Sequence, residues 1–320
     1  MLEWCVGIAT TLLTFLIYFA YFFKFNWVKD MRIEAKTRQT RSFYASNKHR
    51  KVGKLPPVYP NGWFALLESS QIKNGQVKHV SALGENFAVF RTERGVVNIL
   101  DAYCPHLGAN MAEGGRVKGN CLECPFHSWT FRGEDGYCEN IPYAEKAKKR
   151  AELNSVSIHP IENDNGNNHF AVSQNNFGSK EKHKAGLHMC HKLILLERFS
   201  IMEIDVLAEQ IGPSYVELMI NTSIGPMYIL QTVTPVEPLL QRVTHQIFSP
   251  PLLAPYANLI FLGECLMFER DVKIWNYKKY ERQPILVRED RAIQAYRRWY
   301  SQFYSDHSPT YETAMKDLQW

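Results

Sequence analysis

The stretches "CPHLGAN" (Cys104–Asn110) and "CPFHSWTF" (Cys124–Phe131) decide how the middle of this sequence is interpreted. Each places a cysteine shortly before a histidine, and the four residues are Cys104, His106, Cys124 and His127. Two thiolates and two imidazoles can hold a tetrahedral zinc, but zinc fingers usually put both cysteines on one arm and both histidines on the other. Here each arm carries one of each. That arrangement suits an asymmetric two-iron cluster, with one iron on thiolates and the other on imidazoles.

The pattern of C-x-H, a gap and then C-x-x-H resembles that of the Rieske iron–sulfur family. The resemblance implies a [2Fe–2S] cluster bound by the same four residues. Respiratory Rieske proteins also carry two cysteines that form a disulfide beside the cluster. The matching positions here are Ala109 and Phe126, so the chain looks like the oxygenase or ferredoxin type. It departs from the family at Ser128, where glycine is usual.

The N-terminus begins with an apolar run, Trp4–Phe23, that contains no charged residue in twenty positions. As a helix it would extend about 30 Å, the thickness of a bilayer's hydrocarbon core. A cleaved signal peptide is the alternative, but no Lys or Arg precedes the run and no small-residue cleavage site follows it. The sequence therefore predicts a retained transmembrane anchor at residues 1–23.

Residues 24–59 form a basic juxtamembrane segment. Between Lys24 and Lys54 there are ten Lys or Arg residues and two acidic ones. Because positive residues stay on the cytoplasmic side, the body is predicted to lie in the cytosol, in a single-pass protein of the endoplasmic reticulum. The whole chain carries only +5, so its basic character belongs to this segment and indicates anionic lipid, not nucleic acid.

The rest of the chain is predicted to have an α+β fold in two parts. Short strand-like runs with Gly and Asn turns indicate a small antiparallel β Rieske domain at residues 60–150. Residues 151–182 are rich in Asn and have linker-like composition. Longer alternating runs and helices follow at residues 183–320, which we interpret as a partial, helix-grip-like oxygenase catalytic domain.

A helix is predicted to begin near Pro255, because proline is favoured in the first turn of a helix. Along it, apolar residues recur every three or four positions and predict a buried stripe, made of Phe261, Cys265, Phe268, Val272 and Trp275. Asp271 lies at the edge of this stripe, where a carboxylate requires a cation. The cation is either an Arg or Lys side chain or an iron.

Downstream blocks carry a second resemblance. The stretches "LAEQIGPSYVEL", "QTVTPVEPLLQRVTHQIF" and "FLGECLMFERDVKIWNYKKY" are similar to the Neverland-type sterol 7-desaturases, membrane-anchored Rieske oxygenases of animals related to bacterial ketosteroid hydroxylases. The resemblance implies O₂-dependent conversion of cholesterol to 7-dehydrocholesterol in ecdysteroid-type hormone synthesis. Electrons would come from NAD(P)H through a reductase, and bacterial relatives are homotrimers.

The family also implies a mononuclear Fe(II) held by two histidines and a carboxylate. Asp271 stands at the carboxylate position, but the family's helix pattern of acid-x3-D-x2-H-x4-H is missing. His183 and His188 have the H-x4-H spacing without the preceding Asp, and a weaker acid–His group contains Glu162, Asp164 and His169. The chain is also shorter than the family's catalytic region requires, which predicts an incomplete oxygenase domain.

Three functions remain open at this point. The first is a cholesterol 7-desaturase by family, with the activity of this incomplete chain in doubt. The second is a membrane-tethered Rieske electron carrier without its own oxygenase site. The third is a Rieske monooxygenase of another hydrophobic substrate.

Overall fold

The structure is a computed structural model that describes most of the chain. The residues it describes are 2–22, 26–30, 53–143, 158–161, 169–173, 184–195, 199–285, 287 and 291–318. The first element is helix α1, Leu2–Phe22. The side chains described along α1 are exposed, among them Leu12 and Phe15. The predicted anchor thus forms a helix, whereas most of the basic segment 24–59 lies outside the described residues.

The Rieske-like part consists of short antiparallel strands. They are β1 (Trp63–Ala65), β2 (Val77–Ala82), β3 (Glu85–Arg91), β4 (Val97–Asp101), β5 (Arg116–Lys118), β6 (Cys121–Glu123), β7 (Thr130–Arg132) and β8 (Cys138–Asn140). Strands β2–β3–β4 form one sheet and β5–β6–β7–β8 another. The buried cluster between them contains Phe90, Leu100, Leu122 and Phe131. Apolar residues from both sheets therefore fix the loops that leave β4 and β6.

The segment at residues 151–182 differs from the linker expected there. It contains strand β9 (Ile158–Ile161) and strand β10 (His169–Ser173). These strands pair in the order β1–β10–β9, so β10 hydrogen-bonds to the start of the Rieske-like part. Glu162 and Asp164 lie outside the described residues.

The C-terminal part is a long antiparallel meander with helices. Its elements are β11 (Lys184–Leu195), β12 (Phe199–Ile211), β13 (Tyr215–Thr222), β14 (Gly225–Glu237), β15 (Leu240–Phe248), α2 (Ala254–Trp275), α3 (Arg291–Ser301) and α4 (Tyr311–Asp317). The five strands pair in chain order. Val206, Ile220 and Met227 lie side by side across three strands and pack with Ala257 of α2. This helix-on-sheet arrangement confirms the predicted α+β fold.

Helix α2 begins where the sequence predicts, with Pro255 in its first turn. The predicted buried stripe is only partly correct. Phe261 is buried and Phe268 is half-buried, but Trp275 is 48% exposed. Asp271 is likewise exposed. The sheet covers the first half of α2 and leaves its last turn uncovered, which the regular spacing of apolar residues did not indicate.

Strands β14 and β15 join the two parts of the molecule. Thr234 donates its hydroxyl hydrogen bond to the carbonyl oxygen of Ala65 at 2.7 Å. Arg242 donates from its two terminal nitrogens to the carbonyl oxygens of Leu66 and Ser81, each at 3.0 Å. One guanidinium therefore satisfies two carbonyl groups of the Rieske-like part, and this fixes its position on the sheet.

Replacing this guanidinium tests the connection. We expect Arg242→Leu to lower the free energy of unfolding by about 2–4 kcal/mol, because two hydrogen bonds from a charged donor are lost and both carbonyls lose their partner. Urea-induced unfolding measures the change. Arg116→Leu, at an exposed position of β5, is the control and should cost less than about 0.5 kcal/mol. Equal losses in both variants would contradict the bridging role.

Candidate Rieske cluster site

The first loop of the candidate site follows β4 and carries Cys104 and His106. The backbone N–H of Cys104 donates to the carbonyl of Ala109 at 2.9 Å, and the N–H of Gly108 donates back to the carbonyl of Cys104 at 2.8 Å. Gly108 has a φ of 73°, in the left-handed region that closes the turn. The loop is therefore a tight, internally bonded unit.

The second loop follows β6 and repeats this geometry. The N–H of Cys124 donates to the carbonyl of Trp129 at 2.8 Å, and the N–H of Ser128 donates to the carbonyl of Cys124 at 3.2 Å. Ser128 occupies the position that corresponds to Gly108 and has a φ of 58°. The departure from glycine noted in the sequence thus falls at a position whose conformation favours glycine.

This conformation gives a test of the backbone at Ser128. A left-handed conformation costs a non-glycine residue about 1–2 kcal/mol in the folded state. Glycine avoids this cost, but its greater conformational freedom stabilises the unfolded state and offsets part of the gain. We therefore expect Ser128→Gly to raise the free energy of unfolding by about 0.5–1 kcal/mol. Thermal unfolding of the full chain measures it.

The matched control makes the opposite substitution, glycine to serine, at the corresponding position of the first loop. Gly108→Ser should destabilise by about the same amount, since a Cβ there meets open space and only the backbone is strained. If Ser128→Gly lowered the stability, the serine hydroxyl would have to make a contact that outweighs the backbone strain.

The two loops bring the four predicted residues together in pairs. Cys104 and Cys124 belong to the same buried cluster, the thiol of Cys124 is close enough to raise the pKa of the Cys104 thiol, and each residue is 2% exposed. The ring centroids of His106 and His127 are 4.8 Å apart and nearly perpendicular. A thiol pair beside an imidazole pair is the arrangement that two irons with different ligands require.

An unsatisfied atom shows that a further group fits here. Nδ1 of His127 is buried, and among the described residues it has no hydrogen-bond partner. A buried polar atom without a partner costs about 1–3 kcal/mol, and a bond to iron would remove this cost. The donor set and this orphaned nitrogen therefore fit a [2Fe–2S] cluster.

The electrostatics of the thiols agree with a ligand role. Burial raises the pKa of the Cys104 thiol to about 11, although the backbone N–H groups of His106 and Leu107 oppose the shift. Without metal the thiol therefore stays protonated at neutral pH, and metal binding must release its proton. The same N–H groups are placed to donate to a cluster-bound sulfur.

Aromatic residues that the sequence analysis did not select hold the two imidazoles. Trp129 stacks on His106 with centroids 4.5 Å apart and an interplanar angle of 5°, and its Nε1–H donates to the hydroxyl of Tyr143 at 2.8 Å. Phe126 stacks on His127 at 4.9 Å. In the quoted motif Phe126 directly precedes His127 and Trp129 follows it by two residues, and that proximity is the signal that would have found them.

The expected mononuclear iron site is incomplete in the part of the chain that the structure describes. Among those residues, no three His, Cys, Asp or Glu side chains converge to hold one metal ion. Asp271 is on α2, His188 is on strand β11 and not on a helix, and His183 lies outside the described residues. His169 is on β10, and its side chain is not described. Within the described ranges, therefore, no complete site for a mononuclear iron is formed.

Comparisons with known proteins agree with this site and fold. A model of the Rieske [2Fe–2S] domain matches residues 62–157, and a model of the 3-ketosteroid 9alpha-hydroxylase C-terminal domain matches residues 155–304. Cholesterol 7-desaturase nvd of Drosophila melanogaster is 33% identical over 98% of this chain and 94% of its own length. The Xenopus laevis cholesterol 7-desaturase nvd is 36% identical over 85% of this chain and 78% of its own.

A solved structure shares the fold. NdmA of Pseudomonas putida CBB5 has a TM-score of 0.55, with 14% identity, and the match covers 81% of this chain and 94% of that one. The fold and the site define a Rieske-type oxygenase. The chain belongs to the Rieske oxygenase family, within the group that contains the cholesterol 7-desaturases, and both resemblances noted in the sequence are confirmed.

The alignment with the Drosophila relative agrees with the expectation that this chain is shorter than its family requires. It spans 403 positions for the Drosophila relative, whereas this chain has 320 residues, so at least 83 of those positions have no counterpart here. The family's helix pattern for iron, which the sequence lacks, is a candidate for part of this difference.

Proposed function

We propose that this chain is a membrane-anchored cholesterol 7-desaturase of the Rieske type. The observation that carries the proposal is the paired thiol and imidazole site, in a chain similar to a cholesterol 7-desaturase over 98% of its length. The reaction would consume cholesterol, O₂, NAD(P)H and a proton and yield 7-dehydrocholesterol, NAD(P)⁺ and two waters. A separate reductase would take the hydride from NAD(P)H and deliver single electrons.

The roles of the site residues follow from their chemistry. Cys104 and Cys124 would hold one iron as thiolates, and His106 and His127 would hold the other as neutral imidazoles. The cluster, when bound, supplies one electron at a time at a potential raised by its imidazole ligands. Trp129 orients His106, and the exposed rim around the loops leaves room for an electron donor to approach.

The membrane location is part of the same proposal. Helix α1 would span the bilayer once, and the basic segment after it would keep the catalytic body on the cytosolic face, in the endoplasmic reticulum. By length and composition, the stretch Pro251–Val272 is also apolar enough to cross a membrane. A body held at the bilayer is close to its sterol. The protein is also proposed to work as a homotrimer, as the family resemblance implies.

A specific observation favours a second candidate, a membrane-tethered Rieske electron carrier. Among the described residues no mononuclear metal site is complete, and at least 83 aligned positions of the Drosophila relative are missing here. Such a chain would keep the cluster and pass electrons to another oxidase. A Rieske monooxygenase of another hydrophobic substrate is the third candidate.

Feeding labelled cholesterol to cells that express the chain tests the first proposal. Mass spectrometry should detect a sterol that has lost two hydrogens and gained a 7,8-double bond. The Cys124→Ala variant is the negative control. If the chain carries an intact reduced cluster but forms no 7,8-double bond, the desaturase proposal is wrong and the electron carrier becomes the better assignment.

A further inference from the structure

Helix α2 carries apolar side chains on the face that points away from the sheet. Five of them are between 48% and 78% exposed, and we call them the outer stripe: Leu252, just before the helix, with Leu259, Leu266, Met267 and Ile274. Most are seven residues apart, a spacing that returns to nearly the same side of a helix. The outer stripe therefore runs along one side of α2, where the exposed Arg270 interrupts it between Met267 and Ile274.

The opposite face of α2 is already occupied. Ala257 and Phe261 are buried, and Ala257 packs with the core of the five-stranded sheet. The helix is therefore apolar on both sides; the sheet covers one of them, while the five side chains of the outer stripe stay 48–78% exposed. A contiguous apolar surface of this size on a protein usually marks a contact with a membrane or another protein.

Contacts between α2 and the segment after α1 indicate that the outer stripe contacts a membrane and not another protein. Trp27 donates from Nε1 to Oε1 of Glu269 at 3.0 Å, and Lys29 forms an ion pair with the other carboxylate oxygen. Glu269 is on α2, and Trp27 and Lys29 follow α1 within a few residues. Tryptophan and lysine are residue types that lie at headgroup level beside a transmembrane helix. The C-terminal half of α2 is therefore held at the level where α1 would leave the bilayer.

Charge at this end of α2 is also complementary to a membrane. Arg270 is exposed on the helix, and Lys278 and Lys279 are exposed just beyond it. The acidic residues nearby are Glu269, which is paired with Lys29, Glu281, which is paired with Lys279, and the exposed Asp271. A helix with an apolar face flanked by basic residues is typical of one that lies in the interface of an anionic membrane.

We propose that α2 lies parallel to the membrane surface, with its outer stripe immersed in the boundary between headgroups and acyl chains, beside α1. This inference rests on the proposed membrane anchor and adds a second, peripheral contact to it. A helix with its side chains is about 10–12 Å thick, so the face that packs on the sheet would be about that far from the bilayer. A sterol would then move from the membrane into the protein past α2 without crossing bulk water.

Photolabelling of the full chain in vesicles of phosphatidylcholine, phosphatidylserine and cholesterol tests the proposal. One carbene reagent dissolves in the bilayer and another stays in water, and mass spectrometry identifies the labelled peptides. The lipid-soluble reagent should label α1 and the peptides that contain Leu259 and Leu266. It should not label the peptide with Val96, which is 57% exposed in the β3–β4 turn.

A double variant, Leu259→Glu with Leu266→Glu, should lose several-fold of the lipid-soluble labelling of α2 while α1 stays labelled. Because both residues are exposed, the cluster's EPR signal should persist and show that the protein is folded. Val96→Glu is the control for an added charge and should change neither labelling pattern.

The outcomes separate this inference from the anchor. If α1 is labelled from the lipid while α2 is labelled only from water, the outer stripe faces solvent and the inference is wrong, although the anchor stands. If α2 is protected from both reagents, another protein surface, such as a second copy, covers it and the inference is also wrong. If α1 itself is not labelled from the lipid, the membrane anchor fails first.

Discussion

Cys124→Ala and His127→Ala should each abolish the EPR signal of the reduced Rieske cluster and leave the purified protein nearly colourless. Each change removes one of two ligands from its iron, and an iron held by a single protein ligand does not keep the cluster assembled. The cluster of the wild-type chain should contribute about two irons per chain. Cys124→Ala and His127→Ala should each lose these two irons. Iron analysis, visible absorption and EPR of the dithionite-reduced protein measure the loss.

Controls from the same domain distinguish loss of a ligand from loss of the fold. Cys138→Ala removes a thiol that is also buried in this core, and His79→Ala removes an imidazole from β2. Both should keep the signal, because neither side chain belongs to the two pairs. A signal that survives in Cys124→Ala or His127→Ala would mean that the ligands are misassigned, and a single bound zinc in the wild type would favour the alternative metal.

Asp271→Ala should leave the Rieske signal intact and abolish sterol desaturation, if this chain is an oxygenase. The rate of desaturation is expected to fall by more than about 100-fold. Loss of a residue that only hydrogen-bonds to a metal ligand already lowers metal affinity or activity by about 10–100-fold. Total iron should fall from about three to about two per chain, because a mononuclear iron would lose its carboxylate ligand. Sterol turnover and iron analysis on the same preparation measure both effects.

The same measurement distinguishes the two leading functions. Asp271 is exposed in the structure, so its substitution should not disturb the fold, and Asp306→Ala at another exposed carboxylate is the matched control. If the wild type holds about two irons and Asp271→Ala changes nothing, Asp271 is not a ligand and the electron carrier is favoured. If iron and turnover fall only in Asp271→Ala, the histidine partners of that iron must come from residues outside the described ranges or from another subunit.

The sequence predicted the Rieske-like part well, because its candidate ligands and turns lie within short stretches of neighbouring residues. The two arms are short loops whose Pro and Gly residues fix their turns, and they are anchored on strands with alternating burial. Helix α1 and the start of α2 at Pro255 were predicted for the same reason, since an uncharged run and a first-turn proline act within one helix. The expected linker was partly wrong because β10 pairs with β1, more than a hundred residues earlier, and β9 pairs with β10.

The sequence by itself determined the candidate ligands and their spacing, the family and the apolar N-terminal helix. Only the tertiary structure decided that Cys104 faces Cys124 while His106 faces His127, since these contacts join two loops that are distant in the chain. It also decided that Asp271 is exposed and that the apolar side chains of the outer stripe on α2 are not covered by the sheet. Helical spacing reveals which residues share a face, but the surface that covers that face is set by packing between distant segments.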